Sequence, residues 1–129
     1  MDRDLVHLDT HVVVWLYAGR LELLSDLAKK RIEAADLRVS PMVELELQYL
    51  FETARIAVPA QEILTDLESR LGLRLADEPF AAVVSAARDL GFTRDPFDRL
   101  IVAQAEVAGA TLLTKDRTIL AHAARAVWD

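Results

Sequence analysis

Cysteine is absent from the chain, which excludes disulfides and thiolate metal sites and is compatible with a reducing compartment. No apolar run approaches the roughly 18 residues of a membrane span. The opening "MDRDLVHLDT" carries charge where a signal peptide would need its hydrophobic stretch, so a cytoplasmic protein is expected. Net positive charge is also lacking: 15 Lys and Arg against 21 Asp and Glu leave −6. That excludes a protein that coats nucleic acid through a general basic surface, but not an enzyme that meets nucleic acid at one local site. Repeats, low-complexity tracts and Gly/Ser linkers are missing, and 129 residues suit a single domain, 1–129. There is no Ser/His/Asp triad, P-loop or dinucleotide fingerprint.

What is present is a globular balance, with 53% hydrophobic and 28% charged residues. "LVHLDT" (5–10) reads as a short buried strand ending at Asp9, and "HVVVWLYAG" (11–19) as an apolar helix stopped by Gly19. Residues 21–35 have helical spacing and carry a basic triplet, Lys29, Lys30 and Arg31; "LRVS" (37–40) is a second strand. Residues 41–54 form a helix with Ser40 as N-cap and Pro41 in the tolerated first position. Helices over 59–72 and 79–91 bracket a short strand at 73–76. A helix opening at "DPFD" leads into the strand "ATLLTK" (110–115), a short helix (116–123) and a last strand (126–128). This alternation predicts an α/β sandwich, helices on both faces of a mainly parallel sheet.

Acids gather at one edge of such a sheet. Ligands bind beyond the carboxyl ends of the strands. Asp9 and Asp116 directly follow strands, Glu44 lies early in the helix after the second strand, and Asp95 and Asp98 open a helix that must start near the same edge. Each has a structural reading as well. Asp95 before Pro96 is a good N-cap, Asp98 sits where a capping-box acid sits, Asp116 is placed to cap its short helix, and Asp9 to cap the first. Glu44 is one residue too late for a capping box opened by Ser40. Two bare carboxylates about 4 Å apart repel by roughly 4 kcal/mol at an effective dielectric of 20. A crowd of them is therefore either partly protonated or holds a cation. With oxygen ligands and no cysteine, Mg²⁺ or Mn²⁺ suits better than zinc.

Arg94, Arg99, Lys115 and Arg117 flank these acids in sequence and provide cations where a phosphodiester would lie, with surface or internal ion pairing as the alternative. His11 either orients a ligand or merely fills a first helical turn. His7 reads as strand packing and His122 as surface. The helix "MVELELQYLF" has apolar side chains around more than one face, so it is either deeply buried or partnered.

"LDTHVVVWL", "SPMVELEL", "RDPFDRLIVAQA" and "LLTKD" resemble, in that order, the motifs of PIN-domain ribonucleases, specifically the VapC-like toxins of bacterial toxin–antitoxin pairs. The match spans nearly the whole chain. The resemblance implies a PIN-like α/β/α sandwich around a central, mainly parallel sheet of four to five short strands. It implies a metal-dependent endoribonuclease whose acidic site falls on Asp9, Glu44, Asp98 and Asp116, with Asp95 an accessory acid or simply the cap. Thr114 matches the small hydroxyl residue two positions before the last acid and joins Arg94, Arg99, Lys115 and Arg117 as a candidate substrate contact. His11 departs from the small polar residue of many relatives. The partners implied are RNA, a cognate antitoxin that blocks the cleft, and a second copy in a homodimer. Two alternatives remain: a receiver-like signalling module built on Asp9, Asp77 and Lys115, and a PIN domain that has lost activity and only binds.

Overall fold

The computed structural model describes residues 3–129, so the first two residues of the charged opening stretch lie outside it. Strand β1 (Leu5–Leu8) runs through the middle of a five-stranded, wholly parallel sheet of order β3-β2-β1-β4-β5. Its neighbours are β2 (Asp36–Val39) and β4 (Thr111–Leu113); β3 (Arg74–Leu75) and β5 (Ala126–Val127) form the edges. Val6 pairs with Leu37 and Thr111, and His7 with Leu112 and Arg38. Such a central strand is covered on both faces, which is why Val6, His7 and Leu8 are all buried.

Helices α1 (Thr10–Ala18), α2 (Asp26–Ala34), α3 (Pro41–Glu52), α4 (Ala60–Leu71), α5 (Phe80–Ala87), α6 (Pro96–Ala108) and α7 (Arg117–His122) flank the sheet. Gly19 closes α1 at φ 71°, in the left-handed region that costs glycine least. Ser40 caps α3 by accepting from the Met42 amide at 3.1 Å. The helix expected over residues 21–35 is interrupted. A 3₁₀ turn, Leu21–Leu23, precedes α2, because the Ser25 hydroxyl accepts from the Ala28 amide at 3.0 Å and restarts the helix there. The helix expected to reach residue 91 ends at Ala87, where Arg99 donates to the carbonyls of Ala87 (3.2 Å) and Arg88 (3.1 Å). None of the described helices is long and apolar enough to cross a membrane.

The chain lays β2 and β3 on one side of β1, and β4 and β5 on the other. Connections therefore diverge beyond the carboxyl ends of β1 and β4, opening the crevice that open α/β sheets use for ligands. The same order removes the receiver-like alternative. That fold places its third strand beside its first, whereas here β3 is an edge strand and Asp77 follows it two strands from Asp9.

Candidate active site

Asp9 leaves β1 and caps α1. Its Oδ1 accepts from the Thr10 amide at 2.8 Å and its Oδ2 from the Thr114 hydroxyl at 2.7 Å, while its own amide donates to the Leu113 carbonyl at 3.0 Å. The carboxylate is thus fixed between the ends of β1 and β4 while only 4% exposed. Thr114 is fully buried and its hydroxyl also accepts from the Asp116 amide at 3.0 Å. It therefore positions Asp9 and Asp116 and cannot itself touch substrate, contrary to the sequence expectation. We expect Thr114→Val, which keeps the shape and deletes the hydroxyl, to cost about 1–3 kcal/mol of stability by leaving an amide and a carboxylate oxygen short of a partner. Thermal denaturation checks the loss, and any RNA cleavage should fall further than the stability change alone explains.

Asp116 caps α7, its Oδ1 accepting from the Ile119 amide at 2.9 Å. Asp95 caps α6 through one oxygen, Oδ1, which accepts from the amides of Phe97 (2.8 Å) and Asp98 (3.3 Å). Asp98, one turn into α6, makes no hydrogen bond with its carboxylate among the described residues. Its pKa is pushed up to about 7, first by burial and then by the charges of Asp95, Asp9, Asp116 and Glu46. Those four acids lie close enough to resist its ionisation. Three of them, Asp9, Asp116 and Glu46, share with Asp98 a groove of about 380 Å³ whose other lining residues are Thr10, His11, Val14, Trp15, Leu50, Arg55 and Ile56.

Glu44 is not in that groove. It lines a separate recess with Val39, Gln61, Leu64, Thr65 and Glu68. Two residues along a helix turn a side chain through about 200°, so Glu44 and Glu46 point to nearly opposite sides. Glu46 is the residue that the α3 backbone aims at Asp9. Its Oε1 accepts from the Thr10 hydroxyl at 2.5 Å, and burial, with Asp9 and Asp95 adding to it, raises its pKa against the opposing effect of that bond. The sequence held a signal for this: Glu46 precedes Leu50 by one helical turn, and both line the groove.

His11 Nε2 accepts from the Lys115 amide at 2.8 Å, which places the ring proton on Nδ1, 3.8 Å from Asp9 Oδ2. Burial lowers its pKa, opposed by Asp9 and Asp116. The neutral imidazole thus ties the segment after β4 to α1 and faces Asp9, an orienting role. Of the flanking cations, Lys115 and Arg117 are exposed beside Asp116. Arg94 donates to the Gly91 carbonyl at 3.2 Å and stays exposed. Arg99 is turned away onto the end of α5, so its guanidinium is structural and does not belong to a rim. Lys30 and Arg31 of the basic triplet lie with Asp4 and Ala35 at the opposite, amino edge of the sheet.

The donors suit a hard divalent cation: carboxylates only at the mouth, and repulsion among them that a cation relieves. Among the described residues no group of three or more His, Asp or Glu side chains is placed to hold a metal ion as it stands.

A PIN domain profile matches residues 6–126. The chain is 37% identical over 120 residues to Ribonuclease VapC22 of Mycobacterium tuberculosis, covering 91% of each. It superposes on VapBC2 from Rickettsia felis bound to a promoter DNA fragment, with TM-score 0.66 and 20% identity over 97% of this chain and 99% of that one. A toxin–antitoxin complex from Klebsiella pneumoniae gives TM-score 0.69 and 17% identity over 95% of each. At those identities the two structures speak for the fold. With the profile spanning nearly all of the sheet and the mycobacterial relative matched over 91% of its length, the chain belongs to the PIN-domain family, among its VapC-type members.

Proposed function

We propose that the protein is a divalent-metal-dependent endoribonuclease toxin of the VapC type, held in check by a cognate antitoxin. The observation that carries this is the shared groove of Asp9, Glu46, Asp98 and Asp116, in which burial, and then the acidic neighbours, push Asp98 up to about 7. Asp9, Asp98 and Asp116 would hold Mg²⁺ or Mn²⁺, with Glu46 beside them and Asp95 as an accessory acid. When bound, such an ion activates water and stabilises the charge developing on a phosphodiester. The chain's own part is orientation: Thr114 and the Thr10 amide fix Asp9, His11 holds the segment after β4 against it, and Glu46 is steadied by Thr10. The name of the mycobacterial relative supports ribonuclease activity, and the toxin–antitoxin complexes among structural relatives agree with a protein partner.

The test compares Glu46→Gln with Glu44→Gln in a Mg²⁺-dependent RNA cleavage assay. Cleavage should fall by roughly 10²-fold or more in Glu46→Gln, as for loss of one group that acts on transition-state charge, and stay near the parent level in Glu44→Gln. The opposite ranking would return the site to Glu44.

An acidic protein gains no long-range attraction for RNA, so affinity must come from local contacts. Arg94, Lys115 and Arg117 are the rim we assign. In Asp98→Asn protein, Lys115→Ala with Arg117→Ala should weaken RNA binding and shallow its salt slope by about 0.7 per lost contact; an unchanged slope would place the RNA elsewhere. Partner binding has its own support. Leu45 and Tyr49 on α3 are 54% and 46% exposed while Val43 and Leu47 are buried, and Phe80 on α5 is 66% exposed. The apolar surplus of α3 is thus presented outward, where an antitoxin or a second copy in a homodimer would cover it.

A further inference from the structure

The groove has a second wall that the acid chemistry leaves unused. Val14 and Trp15 of α1 stand there with Leu50 of α3 and with Arg55 and Ile56 of the turn that follows. That turn is held in an uncommon conformation. Ala54 lies at φ 60°, in the left-handed region that an alanine enters only at a cost. The amides of Arg55 (2.8 Å) and Ile56 (3.3 Å) both donate to the Leu50 carbonyl, and the Ala54 amide to the Phe51 carbonyl at 3.0 Å. The chain is thereby folded back so that Arg55 and Ile56 close the groove rather than trail away toward α4. Arg55 is exposed and has no ion-pair partner among the described residues.

Trp15 is the planar element of this wall. Buried Trp128 meets it edge-on at 6.0 Å between centroids, and His11 packs at 5.0 Å. These contacts fix the indole, which stays partly exposed to the groove, and the Lys115 ammonium lies 5.9 Å from its centroid. The ring is therefore reachable from solvent by a flexible cation that a flat ligand is able to displace.

We infer that this half of the groove is a subsite for one unpaired nucleotide next to the scissile phosphodiester. The base stacks on Trp15 between Val14, Leu50 and Ile56, and a backbone phosphate meets Arg55. The inference rests on the ribonuclease reading and names the side chains that would hold an unpaired strand beside the cut. The chemistry favours it over a duplex. Every base has a π-face, so stacking on an aromatic ring holds a strand without reading its sequence, whereas a paired base keeps both faces against its neighbours. Arg55 sets a cation in a groove lined by four acids, Asp9, Glu46, Asp98 and Asp116.

The experiment uses the full chain carrying Asp98→Asn and a fluorescently labelled oligoribonucleotide, offered single-stranded or in a fully paired duplex. The single strand should bind, Trp15→Ala should weaken it roughly 10- to 100-fold, and Trp15→Phe should restore most of the loss. The duplex should bind more weakly and be indifferent to Trp15. Arg55→Ala should shallow the single-strand salt slope by about 0.7, and it decides the matter if Trp15→Ala does not fold by its melting curve. Unchanged binding in folded Trp15→Ala, an unchanged slope in Arg55→Ala, or equal affinity for the duplex would overturn the subsite. Cleavage by the parent chain separates the two readings. An active parent indifferent to Trp15 sinks the subsite alone, while an inactive parent with Trp15-dependent binding upholds the subsite and sinks the nuclease.

Discussion

Asp98→Asn should abolish RNA cleavage and, without divalent metal, make the protein harder to unfold. Both effects have one origin. Asp98 is the acid whose carboxylate has no hydrogen-bond donor among the described residues, and burial with four acidic neighbours lifts it from an ordinary 3.8 to about 7. The folded chain therefore holds a proton that the unfolded chain releases, and stability falls as pH rises from about 4 to about 7, staying low above that. The full shift corresponds to roughly 4 kcal/mol at 1.4 kcal/mol per pKa unit. Asp98 is partly exposed and water screens it, so about 1–2 kcal/mol is expected, or some 3–8 °C in Tm for a chain of this size. Asparagine removes that charge, so the gain should be near zero at pH 4 and complete above pH 7. Saturating Mg²⁺ should shrink it, since a cation bound to the folded parent stabilises the parent alone. Cleavage should meanwhile drop by roughly 10²–10³-fold. Calorimetry across pH, with and without Mg²⁺, beside a cleavage assay, checks each part. A Tm gain independent of pH would mean that the repulsion does not act through Asp98.

Position along the chain located the groove better than it located each side chain. Asp9 and Asp116 were legible because a strand end fixes a residue at the sheet edge whatever its rotamer, and Asp98 because α6 must begin at that edge to return to β4. Asp95 was legible as a cap from the proline behind it, and its Oδ1 bonds to Phe97 and Asp98 are of that kind. The misreading between Glu44 and Glu46 is a rotation about α3, which spacing from Ser40 does not resolve and burial of Val43 and Leu47 does. Arg99 was misread because its partners, the Ala87 and Arg88 carbonyls, become available only where α5 ends. Arg55 left no motif at all. What brings it to the groove is a left-handed alanine, and turn propensity would have looked for glycine there.

The largest change in acid stability should come from a residue that takes no part in that chemistry. His7 lies at the centre of β1, 1% exposed, and neither ring nitrogen has a hydrogen-bond partner among the described protein atoms. Burial pushes its pKa from 6.5 down to about 4, with Glu78 opposing and Arg38 adding to the shift. Folding thus holds the imidazole neutral. Below pH 6.5 the unfolded chain takes up a proton that the fold refuses, so stability falls as pH drops from 6.5 to about 4 and then levels off. The span from 6.5 to about 4 is worth roughly 3 kcal/mol. This slope runs against that of Asp98 over nearly the same window, so the parent's pH profile should be flatter than either residue alone would make it. His7→Leu removes the titration and replaces two unpaired polar atoms with an apolar side chain beside Leu112, its partner on the neighbouring strand. At pH 7 we expect a gain of about 1–3 kcal/mol from the polar atoms no longer desolvated, less whatever repacking costs. At pH 4 the advantage over the parent should be larger by roughly 3 kcal/mol, and with His7 gone the profile should show the Asp98 slope bare, stability rising toward acid. Combining His7→Leu with Asp98→Asn should flatten the profile again, because the two sites then contribute no proton linkage between pH 4 and 7. Urea titrations of the four proteins at pH 4, 5.5 and 7 read this directly, and a His7→Leu profile parallel to the parent's would show that the ring is charged or bridged in the fold.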